Sequence, residues 1–259
     1  MFIKNLKTKN LKKIIETETP KTPFSMIAMV ITSISITLSV FLFINYKLVP
    51  VNFFKNNFSE LFLFFYLILN SIIFYFSFTN NINSSAIYNS GIFISIILEF
   101  AILLKLKNQL DTYEINLLFI LSFFIVLLIF NFLRLRSLLG LLAFSFMVSF
   151  NFPLIFLTKS NFLNGTFLKN AIFLFLTLIF FMEPIFIQLK ELEYPLNIFL
   201  GFILIISNII NGINIWLILN LFLIIFADIL LVYLGLYQKY HLPTFSLLMF
   251  ISIIFLINE

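Results

Sequence analysis

Three carboxylates stand where the chain is otherwise almost uniformly apolar: Glu99, Glu183 and Asp228. A charge at mid-membrane costs about 2.5 to 3.5 kcal/mol on insertion scales. Acids in such surroundings therefore either pass protons or cations, held neutral part of the time by desolvation, or accept hydrogen bonds that only fix helix packing. On a helix rising about 1.5 Å per residue, Glu183 lies roughly 9 Å and Asp228 roughly 13 Å from the same end of their segments, with Glu99 roughly 8 Å from the opposite end of its own. Glu183 and Asp228 thus share a depth to within a turn, and Glu99 does not join them. Pro184 frees a backbone carbonyl one turn earlier, which either lines a cavity or lets the helix bend.

A second group with chemical potential is basic. Arg134 and Arg136 are the two arginines of the chain and lie in Asn131-Phe-Leu-Arg-Leu-Arg-Ser-Leu-Leu-Gly140, a short interruption between the apolar runs Leu117 to Leu133 and Leu138 to Thr158. The pair marks a tight turn at a membrane face. Asn208, Asn211 and Asn214 would share one helical face, although Asn211-Gly212 reads more naturally as a turn. With no cysteine and His241 as the only histidine, zinc and haem have too few soft ligands. No metal site is expected, and His241 is expected at an interfacial surface. Phosphate-loop, GxSxG, HExxH and GxGxxG patterns are absent, so catalytic residues stay unknown.

These side chains need elements to hold them. A chain of 259 residues that is 62% hydrophobic and 10% charged is far from the roughly 25% charge of a soluble domain. Uninterrupted apolar runs such as Phe173 to Phe181, broken only by Thr177, exclude the period-two alternation of a membrane barrel. The expected class is all-α, a polytopic transmembrane bundle of about nine spans forming one domain from residue 24 to 259 behind a basic cytosolic segment, residues 1–23. The predicted helices run from Phe24 to Asn45, Glu60 to Phe78, Ser90 to Leu104, Leu117 to Leu133, Leu138 to Thr158 and Ala171 to Leu189. Two more divide Pro195 to Tyr237 at Asn211-Gly212, and a short ninth follows Thr244. Pro153 predicts a kink in the second half of helix 5, and Ser35 with Ser39 a small-residue contact face on helix 1. Asn164-Gly165-Thr166 is formally a glycosylation acceptor.

A net charge of +5 with scattered lysines gives no nucleic-acid footprint; the partner it fits is a lipid surface. With the amino terminus in the cytosol, that side holds six lysines of the terminus with Arg134, Arg136, Lys190 and Lys239, against Lys47, Lys55, Lys105, Lys107, Lys159 and Lys169. This excess favours that orientation, in a bacterial cytoplasmic membrane.

Nine helices, a cytosolic amino terminus and inner connections after helices 2, 4 and 6 resemble the UbiA family of membrane prenyltransferases. Phe130-Asn-Phe-Leu-Arg-Leu-Arg-Ser-Leu-Leu-Gly140 is similar to that family's Tyr-x-x-x-Lys-Arg segment, and Gln188-Leu-Lys-Glu-Leu-Glu193 resembles its second acidic motif. The resemblance implies that Arg134, Arg136, Lys190, Glu191 and Glu193 line an inner mouth binding an isoprenoid or other lipid-like molecule, with magnesium as cofactor if the transferase chemistry is kept. Where the family has its first acidic motif, this chain has Thr79-Asn-Asn-Ile-Asn-Ser-Ser85. These amides and hydroxyls are poor ligands for a hard divalent ion, which puts catalysis in doubt. Two other functions fit the residues: a permease or ion-coupled carrier using the intramembrane acids, and a non-catalytic subunit with partners in a larger membrane complex.

Overall fold

The computed structural model of the protein describes residues 22–48, 57–79, 86–130, 135–157, 165–187, 194–210, 214–234 and 241–258. Among them are nine helices and no strand. Helix α1 is Thr22–Phe43, prolonged by a π-helical turn, Ile44–Leu48; α2 is Asn57–Thr79, α3 Ala86–Leu106 and α4 Thr112–Leu127. Helix α5 covers residues 138–157 as Leu138–Phe146, a π-helical turn Met147–Asn151, and Phe152–Leu157. Then come α6, Gly165–Phe186; α7, Tyr194–Ile210; α8, Ile215–Leu234; and α9, His241–Asn258.

Several boundaries differ from expectation for local reasons. Helix α4 starts at Thr112 rather than Leu117, because Asp111-Thr-Tyr-Glu114 has capping-box spacing: Glu114 Oε2 accepts the Asp111 N–H at 2.9 Å. It stops at Leu127 rather than Leu133. The amides of Ile129 and Phe130 turn back onto the carbonyls of Val126 and Leu127, three residues earlier, and tighten the chain out of the α-helix. Helix α6 begins at Gly165 instead of Ala171, so residues 165–170 are helix rather than loop. Helix α9 begins at His241. The irregularity expected at Pro153 takes the form of the π turn that immediately precedes Phe152 and Pro153. The amino-terminal segment 1–23, apart from Thr22 and Pro23 at the start of α1, lies outside the described residues, as do Asn164 and the Asn211-Gly212 turn.

Helices consecutive in the chain pack together, and the most extensive pairing is between α1 and α9, which closes the set into a ring. Helix α6 also touches α9 and the π turn after α1, and its second half, from Thr177 to Phe186, is wholly buried. The helices alternate in direction. At one end of the bundle the Asn170 side chain of α6 donates to the Lys47 carbonyl after α1, at 2.7 Å. At the other, Phe186 of α6 packs on Phe78 of α2 at 4.9 Å and Phe144 of α5 at 5.6 Å.

Polar side chains are buried with the apolar core of this bundle, and many large apolar ones are exposed on its outside. The buried set includes Ser35 and Ser39, the expected contact face of α1, together with Thr32, Ser33 and Thr37, while Phe93, Phe199, Phe202, Phe222 and Ile229 are each more than 60% exposed. Such a surface would be costly in water but is neutral against hydrocarbon. Met26–Leu48, Leu61–Thr79, Gly165–Phe186 and His241–Asn258 are long and apolar enough to cross a membrane. Shorter apolar helices, Thr112–Leu127, Leu138–Leu154, Leu196–Ile209 and Ile215–Leu231, accompany them.

Candidate functional site

The site with the most chemistry lies where α6, α7 and α8 meet. Pro184 has no N–H, so the Phe180 carbonyl four residues earlier loses its helical donor. Asn197 of α7 takes that place: its Nδ2 donates to the Phe180 oxygen at 3.2 Å and to Glu183 Oε2 at 3.0 Å. Glu183 is fully buried and Asn197 is 1% exposed. One turn further along the same face of α7 is Gly201. A Cβ there would stand 3.1 Å from the Phe180 ring and 3.2 Å from Asp228 Oδ2 of α8, so the bare glycine backbone is what leaves room for that carboxyl.

Glu183 and Asp228 are thus brought to adjacent turns of one helix. Counting from Phe186 and Leu234, where α6 and α8 end, they lie about 4.5 Å and about 9 Å deep, a difference of less than one turn. Asn197 Oδ1 and Asp228 Oδ1 have no hydrogen-bond donor among the described residues. Two carboxyls, from α6 and α8, thus border neighbouring turns of α7, and the Oδ1 atoms of Asn197 and Asp228 keep acceptor capacity for a proton or a donor.

Glu99 belongs to a different network. Asn70 of α2 donates through Nδ2 to Glu99 Oε1 of α3 at 2.7 Å and to the Tyr66 carbonyl at 3.0 Å. Tyr66 in turn donates to the Leu118 carbonyl of α4 at 2.7 Å and bonds Ser122 Oγ at 2.8 Å. All four side chains are buried. Asn70 also borders a cavity of about 20 Å³ between α1, α2, α4 and α5, which has Thr37 and Ser71 in its wall. That is room for a single water molecule. This network ties three helices together, which is the packing use of a buried acid.

The basic group is divided. Arg136 is half-buried in the connection before α5, donates from Nη2 to the Ser77 carbonyl in the last turn of α2, and lies 5.3 Å above the Phe78 ring. A cation at that place complements the negative end of the α2 dipole. Burial pushes the guanidinium pKa below its ordinary value, though an arginine stays charged. Beneath it Phe74, Phe78, Phe144 and Phe186 cluster, with Phe74 and Phe144 stacked 4.9 Å apart and Phe78 edge-on to Phe186. Arg134, Lys190, Glu191, Glu193 and the amide-rich segment 80–85 lie outside the described residues.

His241 corrects an expectation. It is 3% exposed, with its ring edge against Phe245 at 5.9 Å. The cause is the earlier start of α9, which carries the imidazole into the bundle instead of leaving it in a surface connection. Asn197, the Tyr66 to Ser122 bond and the bond from Ser252 Oγ of α9 to Asn220 Oδ1 of α8, at 2.8 Å, are contacts that sequence reasoning did not single out. The four-residue spacing of Tyr66 and Asn70 was a usable signal. Asn208 is wholly buried in α7, while Asn214 stands before α8 and its Oδ1 accepts the Leu217 N–H at 2.8 Å. The two therefore form no common face. Among the described residues no group of three or more His, Cys, Asp or Glu side chains could hold a metal ion. Comparison of the chain with protein-family models, curated proteins and solved structures gives no match.

Proposed function

We propose that the protein is a nine-span integral membrane protein with a cytosolic amino terminus, acting as a carrier that couples solute movement to a proton or monovalent cation at Glu183 and Asp228. The observation that carries this reading is the convergence of the two acids on adjacent turns of α7, at Asn197 and Gly201. Acids kept in an apolar bundle with oxygens left over beside them are the usual marks of an ion path. The test is ion entry into proteoliposomes under an imposed pH or sodium gradient, with the membrane potential clamped. Wild-type protein should carry flux that Glu183→Gln and Asp228→Asn each reduce at least tenfold; flux that survives both replacements rules the mechanism out.

A second reading, a divergent UbiA-like protein that handles an isoprenoid, is favoured by one observation. Arg136, the end of α2, α5 and the end of α6 come together over an aromatic floor, as a shared inner mouth requires. Binding of a labelled prenyl diphosphate in the presence of magnesium tests it. Saturable binding weakened by Arg136→Gln supports this second reading, and no binding removes it.

A further inference from the structure

At the end of the bundle where α6 begins, a groove of about 420 Å³ runs between the first three turns of α6 and the last turn of α7. Its volume is that of a small-molecule site, roughly 300 to 1,000 Å³. Leu168, Ile172 and Leu176 form one ridge at four-residue spacing, Phe173 deepens it, and Ser207 of α7 closes the far side. From Gly165 to Leu176 the wall is about 16 Å long and graded in polarity. Lys169 and the opening turn of α6 are at one end, and only apolar side chains follow.

That end is set up for negative charge. The first N–H groups of a helix have no partner within it and carry the positive end of the dipole; here an exposed lysine, Lys169, stands one turn after them. Among the described residues Lys169 has no carboxylate partner, since the acids of this half of the chain, Glu183 and Asp228, sit toward the opposite ends of α6 and α8. The Asn170 bond to the Lys47 carbonyl fixes this turn level with the end of α1, where headgroups would lie. We propose that the groove holds one acyl chain of an anionic phospholipid, its headgroup on the Lys169 ammonium and the first turn of α6. The site rests on the membrane reading and is independent of carrier activity.

Native mass spectrometry of the intact protein, exchanged into micelles containing equal phosphatidylglycerol and phosphatidylcholine, tests the site. Wild-type protein should retain one lipid with about a fivefold preference for phosphatidylglycerol, the preference expected of one cation near a surface. Lys169→Gln should lose the preference, Ile172→Trp should lose the lipid by filling the groove, and Lys105→Gln, on a lysine at the end of α3, should change neither. Equal retention of both lipids by wild-type protein, or equal loss of preference in Lys169→Gln and Lys105→Gln, overturns the proposal. Matched melting temperatures verify that the variants are folded.

Discussion

Asn197 bonds Glu183 through the same nitrogen that takes up the backbone carbonyl released by Pro184. One amide thus serves an acid and a gap in a helix, and both lose that bond together. Asn197→Leu should lower stability by about 1 to 3 kcal/mol, the range for leaving buried polar groups unsatisfied. Thermal unfolding in detergent measures this. Pro184→Ala restores the helical N–H and should recover part of the loss in the double variant; no recovery would mean that the Phe180 carbonyl does not depend on Asn197.

Gly201 separates Phe180 from Asp228, and its replacement should be graded by size. Gly201→Ala meets both neighbours slightly inside normal contact and should cut ion flux with little change in melting. Gly201→Leu overfills the crossing and should destabilise by about 1 to 3 kcal/mol. Unaltered flux in Gly201→Ala would mean that the position of Asp228 is unimportant.

Tyr66 and Glu99 should behave as packing groups. Tyr66→Phe removes the bonds to Leu118 and Ser122 and should cost about 0.6 to 1.7 kcal/mol, the span found for polar contacts between membrane helices. Glu99→Gln should leave flux unchanged. A flux defect as deep as that of Glu183→Gln would move Glu99 into the ion path.

A Cβ built at Gly140 would overlap the Leu135 carbonyl oxygen, so the turn that presents Arg136 closes only over a residue without a side chain. Gly140→Ala should displace that turn and destabilise by about 1 to 3 kcal/mol. Arg136→Met, which keeps a long apolar stem but loses the bond to Ser77, should cost about 1 kcal/mol. Melting curves of the two single variants and their combination should show less than additive losses.

The chain contains no cysteine, which makes single introduced cysteines clean reporters of sidedness. Lys47→Cys and Lys107→Cys should react with an impermeant thiol reagent from one side of the membrane, and Ser137→Cys and Ile187→Cys from the other, the side of the amino terminus. Labelling of Lys47→Cys or Lys107→Cys from the same side as Ser137→Cys or Ile187→Cys breaks the proposed nine-span arrangement.

What the sequence made legible was set by physics that acts locally. The shortage of charge and the length of the apolar runs pointed to an all-helical chain with helices apolar enough to cross a membrane, and that Glu183 and Asp228 lie within a turn of one depth followed from helical rise, although both stand nearer their helix ends than expected. Helix boundaries differ from the apolar pattern where a few hydrogen bonds decide them, as at Asp111 and Glu114, whose capping-box spacing starts α4 ahead of its apolar run. His241 was misplaced because one turn of extra helix carries it from a connection into the interior. Asn197 was invisible because its importance comes from a neighbour on another helix: nothing in the residues around Pro195 says that Pro184 will leave a carbonyl opposite.

The extensive pairing of α1 with α9 bears on how the protein is made. Helix α1 has its most extensive packing with the helix that follows the other eight described ones, so through most of elongation that neighbour is still inside the ribosome. A stalled nascent chain lacking α9 leaves the facing side of α1 without its largest partner and should be an early target for quality-control proteolysis.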